Sequence, residues 1–196
     1  MISGLVILLS LLFIPFTQLV IGNSNNSQNW SDYTEPENRF TFKYPASWQL
    51  GEEFDIMNPE GIKFYVTAQD KLNSDEIMQV GIGHRDLSLS TSSMKNITKL
   101  RLDSALFINK FKGDLQNFSL QNYPDFDKYR LDGHRSFSFE FTFLKSNIEK
   151  KGVFVATDIG NSIFYVLFTT DLNQYDKMLP VIENVVASTQ IEQSRF

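Results

Sequence analysis

The chain has 196 residues, no cysteine, a formal net charge of −5 and 18 Phe within a hydrophobic share of 42%. Without cysteine there is no disulfide framework, no thiolate metal site and no thiol for a lipid anchor. Acidic and lacking any basic cluster, it has no footprint for nucleic acid and none for electrostatic docking on anionic lipid.

The chain opens on a greasy block. Gly4 to Gly22 carries no charge and is dominated by Leu, Ile, Val and Phe, after which Asn23-Ser-Asn-Asn-Ser-Gln-Asn29 is wholly polar. A spanning helix needs about 20 apolar residues, so length permits residues 4–22 to serve as an anchor. Val20-Ile-Gly22, ending on a small residue, equally suits a signal-peptide cleavage site, and Pro15 suits the late part of such a segment. The basic residue of a standard signal peptide is missing. Residues 1–22 are therefore a signal peptide or an N-terminal membrane anchor, and both alternatives stay open. The first Lys or Arg is Arg39, so no basic residue holds the following segment in the cytoplasm. The expected location is extracytoplasmic, either secreted or anchored at the cell surface.

Residues 23–37 are Asn, Ser, Gln, Asp and Glu with little to bury, and read as a flexible polar tether. The remainder, 38–191, is about 155 residues without repeat or composition shift, enough for one domain with a core of its own; 192–196 is a tail. Four sequons, at Asn25, Asn29, Asn96 and Asn117, mark candidate glycosylation sites in an exported protein.

Within the domain, hydrophobic period two marks strands. Phe40, Phe42 and Tyr44 alternate with Thr41 and Lys43 until Pro45 ends the run. Ile62, Phe64 and Val66 follow, then Met78, Val80 and Ile82. Next, Ser92 or Ser93 offers an N-cap, and Ile97, Leu100, Phe107, Ile108 and Phe111 recur near the helical spacing, with Gly113 suited to a left-handed terminus. Phe137, Phe139, Phe141 and Phe143 alternate with Ser136, Ser138, Glu140 and Thr142, which predicts a strand with one buried face. Val153–Thr157 and Ile163–Phe168 form a hairpin through Asp158-Ile-Gly160-Asn-Ser162. The second of these is apolar at every position, so helices are expected over one side of the sheet. A last helix spans about Asn173–Ser188, and Pro180 either kinks it or moves its start to near Leu179. The elements add up to an α+β sandwich.

Phe40-Thr-Phe-Lys-Tyr-Pro45-Ala-Ser-Trp48 resembles the opening strand and turn of PsbP-like domains, in which an aromatic strand runs into Tyr-Pro and then Trp. The order of elements is similar across 38–191, down to a closing helix that ends in a Ser such as Ser188. The resemblance implies an α/β/α sandwich around a central antiparallel sheet, with Tyr44, Pro45 and Trp48 as fold motif. The family's best-known member is a lumenal subunit of photosystem II that helps retain calcium and chloride. That role does not transfer, because the basic arm that docks it is replaced here by an acidic stretch with Asp32, Glu35 and Glu37. Related domains occur in archaeal surface proteins and in a nuclear Ran-binding factor, and the polar tether and sequons suit the former. Independently of any family, Pro45 fixes the turn and Trp48 is a large apolar plate suited to core packing.

Motifs for chemistry are sparse. His84 and His134 are the sole histidines; with Asp86 they are the metal-ligand candidates, provided the rings converge at about 2.1 Å from one ion. Glu52-Glu53-Phe54-Asp55 and Asp125-Phe-Asp127 supply hard oxygen ligands of the kind calcium takes, without an Asp-x-Asp-x-Asp-Gly loop. There is no Gly-x-Ser-x-Gly elbow, and Gly81-Ile-Gly83 lies inside a strand, where it permits close packing or a bulge rather than a phosphate loop. The expectation is an exported, non-enzymatic module that binds a protein partner or membrane complex, with no catalytic residue and no cofactor. The alternatives are an extracytoplasmic metal-dependent enzyme or metal-binding protein built on His84, His134 and nearby acids, and a cell-envelope structural glycoprotein.

Overall fold

The structure is a computed structural model and describes residues 29–37, 39–51, 62–70, 76–84, 96–160 and 162–192. The leader 1–22, Asn25, the acids of 52–55, Asp86 and the proposed caps Ser92 and Ser93 lie outside the described residues.

The alternating runs become strands. In chain order these are β1 (Trp30–Thr34), β2 (Phe40–Pro45), β3 (Trp48–Gly51), β4 (Ile62–Asp70) and β5 (Ile77–His84). Helix α1 (Asn96–Asp114) follows, then β6 (Gln116–Leu120), β7 (Arg130–Leu131), β8 (His134–Lys145), β9 (Ile148–Ile159) and β10 (Ser162–Asp171). One turn of 3-10 helix (Leu172–Gln174) leads into α2 (Tyr175–Ser188), and β11 (Gln190–Ile191) closes the described chain. The main sheet has the order β3-β4-β5-β10-β9-β8-β6, with β7 also against β8, and every pairing in it is antiparallel. This is the expected α+β architecture of a central antiparallel sheet with two main helices.

The apolar run of β10 is central in the sheet and buried from Ser162 to Thr170. Its two faces belong to two separate cores. Phe164, Val166 and Phe168 join Met78, Val80, Ile82, Val153 and Val155 under α2, whose Tyr175, Val181, Ile182, Val185 and Val186 are buried. Ile163, Tyr165 and Leu167 join Phe137, Phe139, Phe141, Phe143 and Phe154 under α1, which contributes Leu100 and Phe111.

Several expectations are corrected. The stretch read as a polar tether includes β1, whose residues Trp30 to Thr34 pair antiparallel with Pro45 to Thr41. Trp30 and Tyr33 pack on the α2-side core, and the Arg39 guanidinium bonds the buried Glu35 carboxylate at the hairpin that follows. Polar composition concealed a strand because two aromatic residues suffice to anchor an edge. β1, β2 and β11 form a second, three-stranded sheet that shares with α2 the cover of one face of the main sheet. Gly113 does not end α1 in a left-handed conformation; the helix runs through it to Asp114 and passes directly into β6. Nor does Pro180 delay α2. It lies inside the helix on the solvent side, so the backbone acceptor it leaves unmatched one turn earlier is hydrated at little cost.

The turns follow their chemistry. Asp132-Gly133 (φ 49° and 75°) and Ser146-Asn147 (φ 53° and 63°) turn β7 into β8 and β8 into β9 with paired positive φ, the geometry that matches strand twist. Opposite Gly83 and Ile82, β4 carries an extra residue between Ile62 and Phe64, which is the bulge reading of the Gly81-Ile-Gly83 run.

Candidate functional site

β8 positions the site. Its odd residues, Phe137 to Phe143, enter the aromatic core. Its even residues, Ser136, Ser138 and Thr142, are buried on the other face rather than solvated, and Glu140 is half-buried there. The one-buried-face expectation is thus corrected: α2 and the 121–129 segment cover the polar side. Ser136 and Thr142 are matched there by hydrogen bonds. The Ser136 Oγ accepts the Leu131 N–H, and the Gln121 side-chain amide donates to the Thr142 Oγ1.

Glu140 is the centre of the arrangement. Lys128 donates to its Oε1 at 3.1 Å, and Lys151 approaches its Oε2 at 3.0 Å. The same two ammonium groups sit over aromatic rings, Lys128 at 5.1 Å from the centre of Tyr129 and Lys151 at 4.0 Å from that of Tyr175. Burial pushes the Glu140 carboxyl upward, but the bonds from Lys151 and Lys128 outweigh it and hold the group below its ordinary range. Lys128 is likewise raised: burial opposes its charge, and the bond to Glu140 prevails. Tyr175 and Tyr129 are both pushed upward, in each case chiefly by burial. Neither hydroxyl makes a hydrogen bond of standard geometry among the described residues, although Tyr129 is beside the Lys128 ammonium and Tyr175 beside the Glu140 carboxylate.

Beside this cluster lies a cleft of about 190 Å³, lined among others by Asn122, Tyr123, Asp125, Lys128, Ser138 and Glu140. The segment that forms its rim is pinned to β8. The Gln121 N–H donates to the Glu140 carbonyl, and Asp125 and Ser138 exchange two backbone bonds of 2.8 and 2.7 Å. Tyr123 stands on this rim with 93% of its surface exposed.

The residues singled out in the sequence are placed as follows. Pro45 and Trp48 are buried, Tyr44 is half-buried, and Trp48 stacks on Phe168 at 6.3 Å. The Tyr-Pro-x-x-Trp motif is the corner at which the chain leaves the small sheet for the main one. Ser188 ties α2 to the same strand, its Oγ accepting the Lys43 N–H at 3.0 Å. His84 ends β5 and His134 begins β8, with β10 and β9 between those strands. Three strand spacings of about 4.8 Å keep the two backbones about 14 Å apart. No group of three or more His, Asp or Glu able to hold a metal occurs among the described residues. In Asp125-Phe-Asp127, the first carboxylate accepts the N–H groups of Asp127 and Lys128, and the second pairs with Arg135 at 2.9 and 3.0 Å. Asp125 is thus bonded within its own loop, and Asp127 is bonded to Arg135 of β8. Of the sequons, Asn29 and Asn117 are exposed, Asn117 at φ 53°, and Asn96 starts α1.

Sequence reading missed Glu140, Lys128, Lys151, Tyr129 and Tyr175 as a set, because four separate segments supply them. The available signal was Glu140 itself, a charge in the middle of the longest aromatic alternation.

The whole arrangement can be compared with known structures. Cyanobacterial PsbP (CyanoP) from Synechocystis sp. PCC 6803 superposes with a TM-score of 0.58 at 16% identity, over 84% of this chain and 94% of that one. The fold is PsbP-like. The Saccharomyces cerevisiae Ran-binding protein Mog1p is similar with a TM-score of 0.52 at 8% identity, over 86% of this chain and 99% of its own. LpqN, involved in cell envelope biogenesis in Mycobacterium tuberculosis, gives 0.50 at 11% identity, over 83% and 90%. At such identities the likeness concerns the PsbP-like fold alone. No protein-family model matches the sequence, and no curated protein shows significant similarity to it.

Proposed function

We propose that the chain is an exported, non-enzymatic binding or accessory module associated with a membrane or cell-surface complex. The observation that carries this reading is the PsbP-like fold across the whole domain. Among proteins of similar fold, one is by name a Ran-binding protein and another is involved in cell envelope biogenesis. The uncharged block Gly4–Gly22 supports the compartment, and the exposed Asn29 and Asn117 sequons fit a glycosylated surface. Among the described residues no helix is long and apolar enough to cross a membrane.

The test is crosslinking in native membranes followed by co-purification of the tagged full chain. A single partner recovered in fixed stoichiometry, from the membrane or surface fraction, is the expected result. Full-length, untrimmed chain free in the cytosol would overturn it. So would stoichiometric metal in the purified protein that is lost on His84→Ala or His134→Ala, which would establish the metal-dependent alternative.

A further inference from the structure

The cleft beside Glu140 has features that protein docking does not call for. Its formal charges cancel: Asp125 and Glu140 are negative, while Lys128 and, just behind, Lys151 are positive. An incoming ion meets as much repulsion as attraction there, so the site selects neither sign. What it offers instead is a dense mixture of donors and acceptors. The Asn122 amide and the Lys128 ammonium can donate, and the Ser138 hydroxyl can do either. Asp125 accepts the loop's own N–H groups through Oδ1, which leaves Oδ2 for an outside donor. The hydroxyls of Tyr129 and Tyr175 belong to the adjoining buried cluster and do not line the cleft.

At the edge of this polar cleft is Tyr123, exposed to 93% in a segment bonded to β8. An aromatic face carries negative charge density and attracts the positive edge of C–H bonds, while its phenol remains wet. A ligand that presents C–H groups on one side and hydroxyls around its periphery satisfies both features. Small-molecule sites typically hold about 300–1,000 Å³. At about 190 Å³ the cleft is smaller, with room for a single ring.

We propose that this cleft binds one neutral pyranose unit of a glycan, its C–H face on Tyr123 and its hydroxyls on Asn122, Asp125, Lys128 and Ser138. Binding is non-covalent and consumes nothing. The inference does not depend on the partner reading above.

The test is an NMR titration of the full chain, held in phosphocholine micelles, which carry no sugar. The probes are methyl glucoside, methyl galactoside, methyl mannoside and N-acetylglucosamine, with acetate and methylamine as ionic controls. At least one sugar is expected to give saturable shifts at the backbone amides of Tyr123, Ser138, Phe139 and Val153. Tyr123→Ala should weaken that binding about tenfold with the rest of the spectrum preserved, because the ring contributes almost nothing to the core. Asn122→Ala, also at an exposed position, should weaken it to a smaller extent. The proposal fails if no sugar shifts these amides up to tens of millimolar, or if Tyr123→Ala binds as well as the parent chain. It also fails if acetate or methylamine shifts the same amides as strongly.

Discussion

The two faces of the main sheet are built on opposite terms. On the α1 side, Phe154 lies 4.7 to 5.9 Å from the ring centres of Phe107, Phe111, Phe137, Phe139 and Tyr165, and Phe111 meets Phe139, Phe141 and Phe154 edge-on. That face is held by area and ring geometry. On the α2 side, the same strand β8 presents Ser136, Ser138, Glu140 and Thr142, and charge-assisted bonds fill part of the space that rings fill opposite. Burial alone favours the first face. The second must match its polar groups to partners, as Lys128 and Lys151 match the Glu140 carboxylate. One strand of period two serves an aromatic core on one side and a buried polar layer on the other.

The largest effect belongs to the aromatic face. Phe111→Ala removes a fully buried ring that meets others edge-on, and should cost about 3–5 kcal/mol in denaturant unfolding. The loss should be the same across pH, because no titratable group is involved. A cost below about 1 kcal/mol would mean that the rings do not act as one cluster.

Gly152 probes the same face by overfilling it. A Cβ there would lie 2.5 Å from the Phe141 Cζ and 2.9 Å from the Phe168 carbonyl oxygen. The ring could swing only into its aromatic neighbours, and the carbonyl belongs to a paired strand. Gly152→Ala should therefore destabilise by about 1–3 kcal/mol, read as a fall in the unfolding midpoint.

The polar face should answer to pH instead. Glu140 and Glu35 both have carboxyl groups held below the ordinary value of 4.5. For Glu140 burial works against this and the two lysines prevail; for Glu35 the bond from Arg39 is the main cause. A depressed native value means that the unfolded chain takes up the proton first. Their contribution is thus complete above pH 4.5 and is lost as pH falls through the lower native values. Glu140→Gln should cost about 1–3 kcal/mol at neutral pH and flatten the acid limb of the stability curve, whereas Phe111→Ala should leave that limb's shape intact. Parallel acid limbs for Glu140→Gln and the parent chain would refute the pairing.

The smallest expected effect sharpens the contrast most. Tyr175→Phe deletes a buried hydroxyl that makes no hydrogen bond of standard geometry among the described residues, so it should leave stability unchanged or raise it by up to about 1 kcal/mol. A thermal melt showing a loss of that size would mean that the hydroxyl is bonded in solution.

Much of this was legible in the chain. The Phe alternation of β8, the unbroken apolar run of β10, the Phe111 stripe of α1 and the Tyr-Pro-x-x-Trp corner each express a local rule, in which spacing along the chain sets the direction of the side chain. β1 and β11 were not legible, because each is short and polar in composition and becomes a strand only by pairing with β2. The candidate site was still less so. Lys128 and Tyr129 lie on a loop, Glu140 on β8, Lys151 on β9 and Tyr175 at the start of α2.

By itself, then, the sequence determined which segments are strands or helices within the core, which faces are greasy, and that the domain needs no covalent staple. Tertiary structure alone decided that the polar side of β8 is buried, that two lysines share one carboxylate, and that an exposed tyrosine borders the cleft beside it. Periodicity reports a residue's direction relative to its neighbours in the chain. Which groups meet across a sheet depends on strand order and register, and these are settled only when the faces pack.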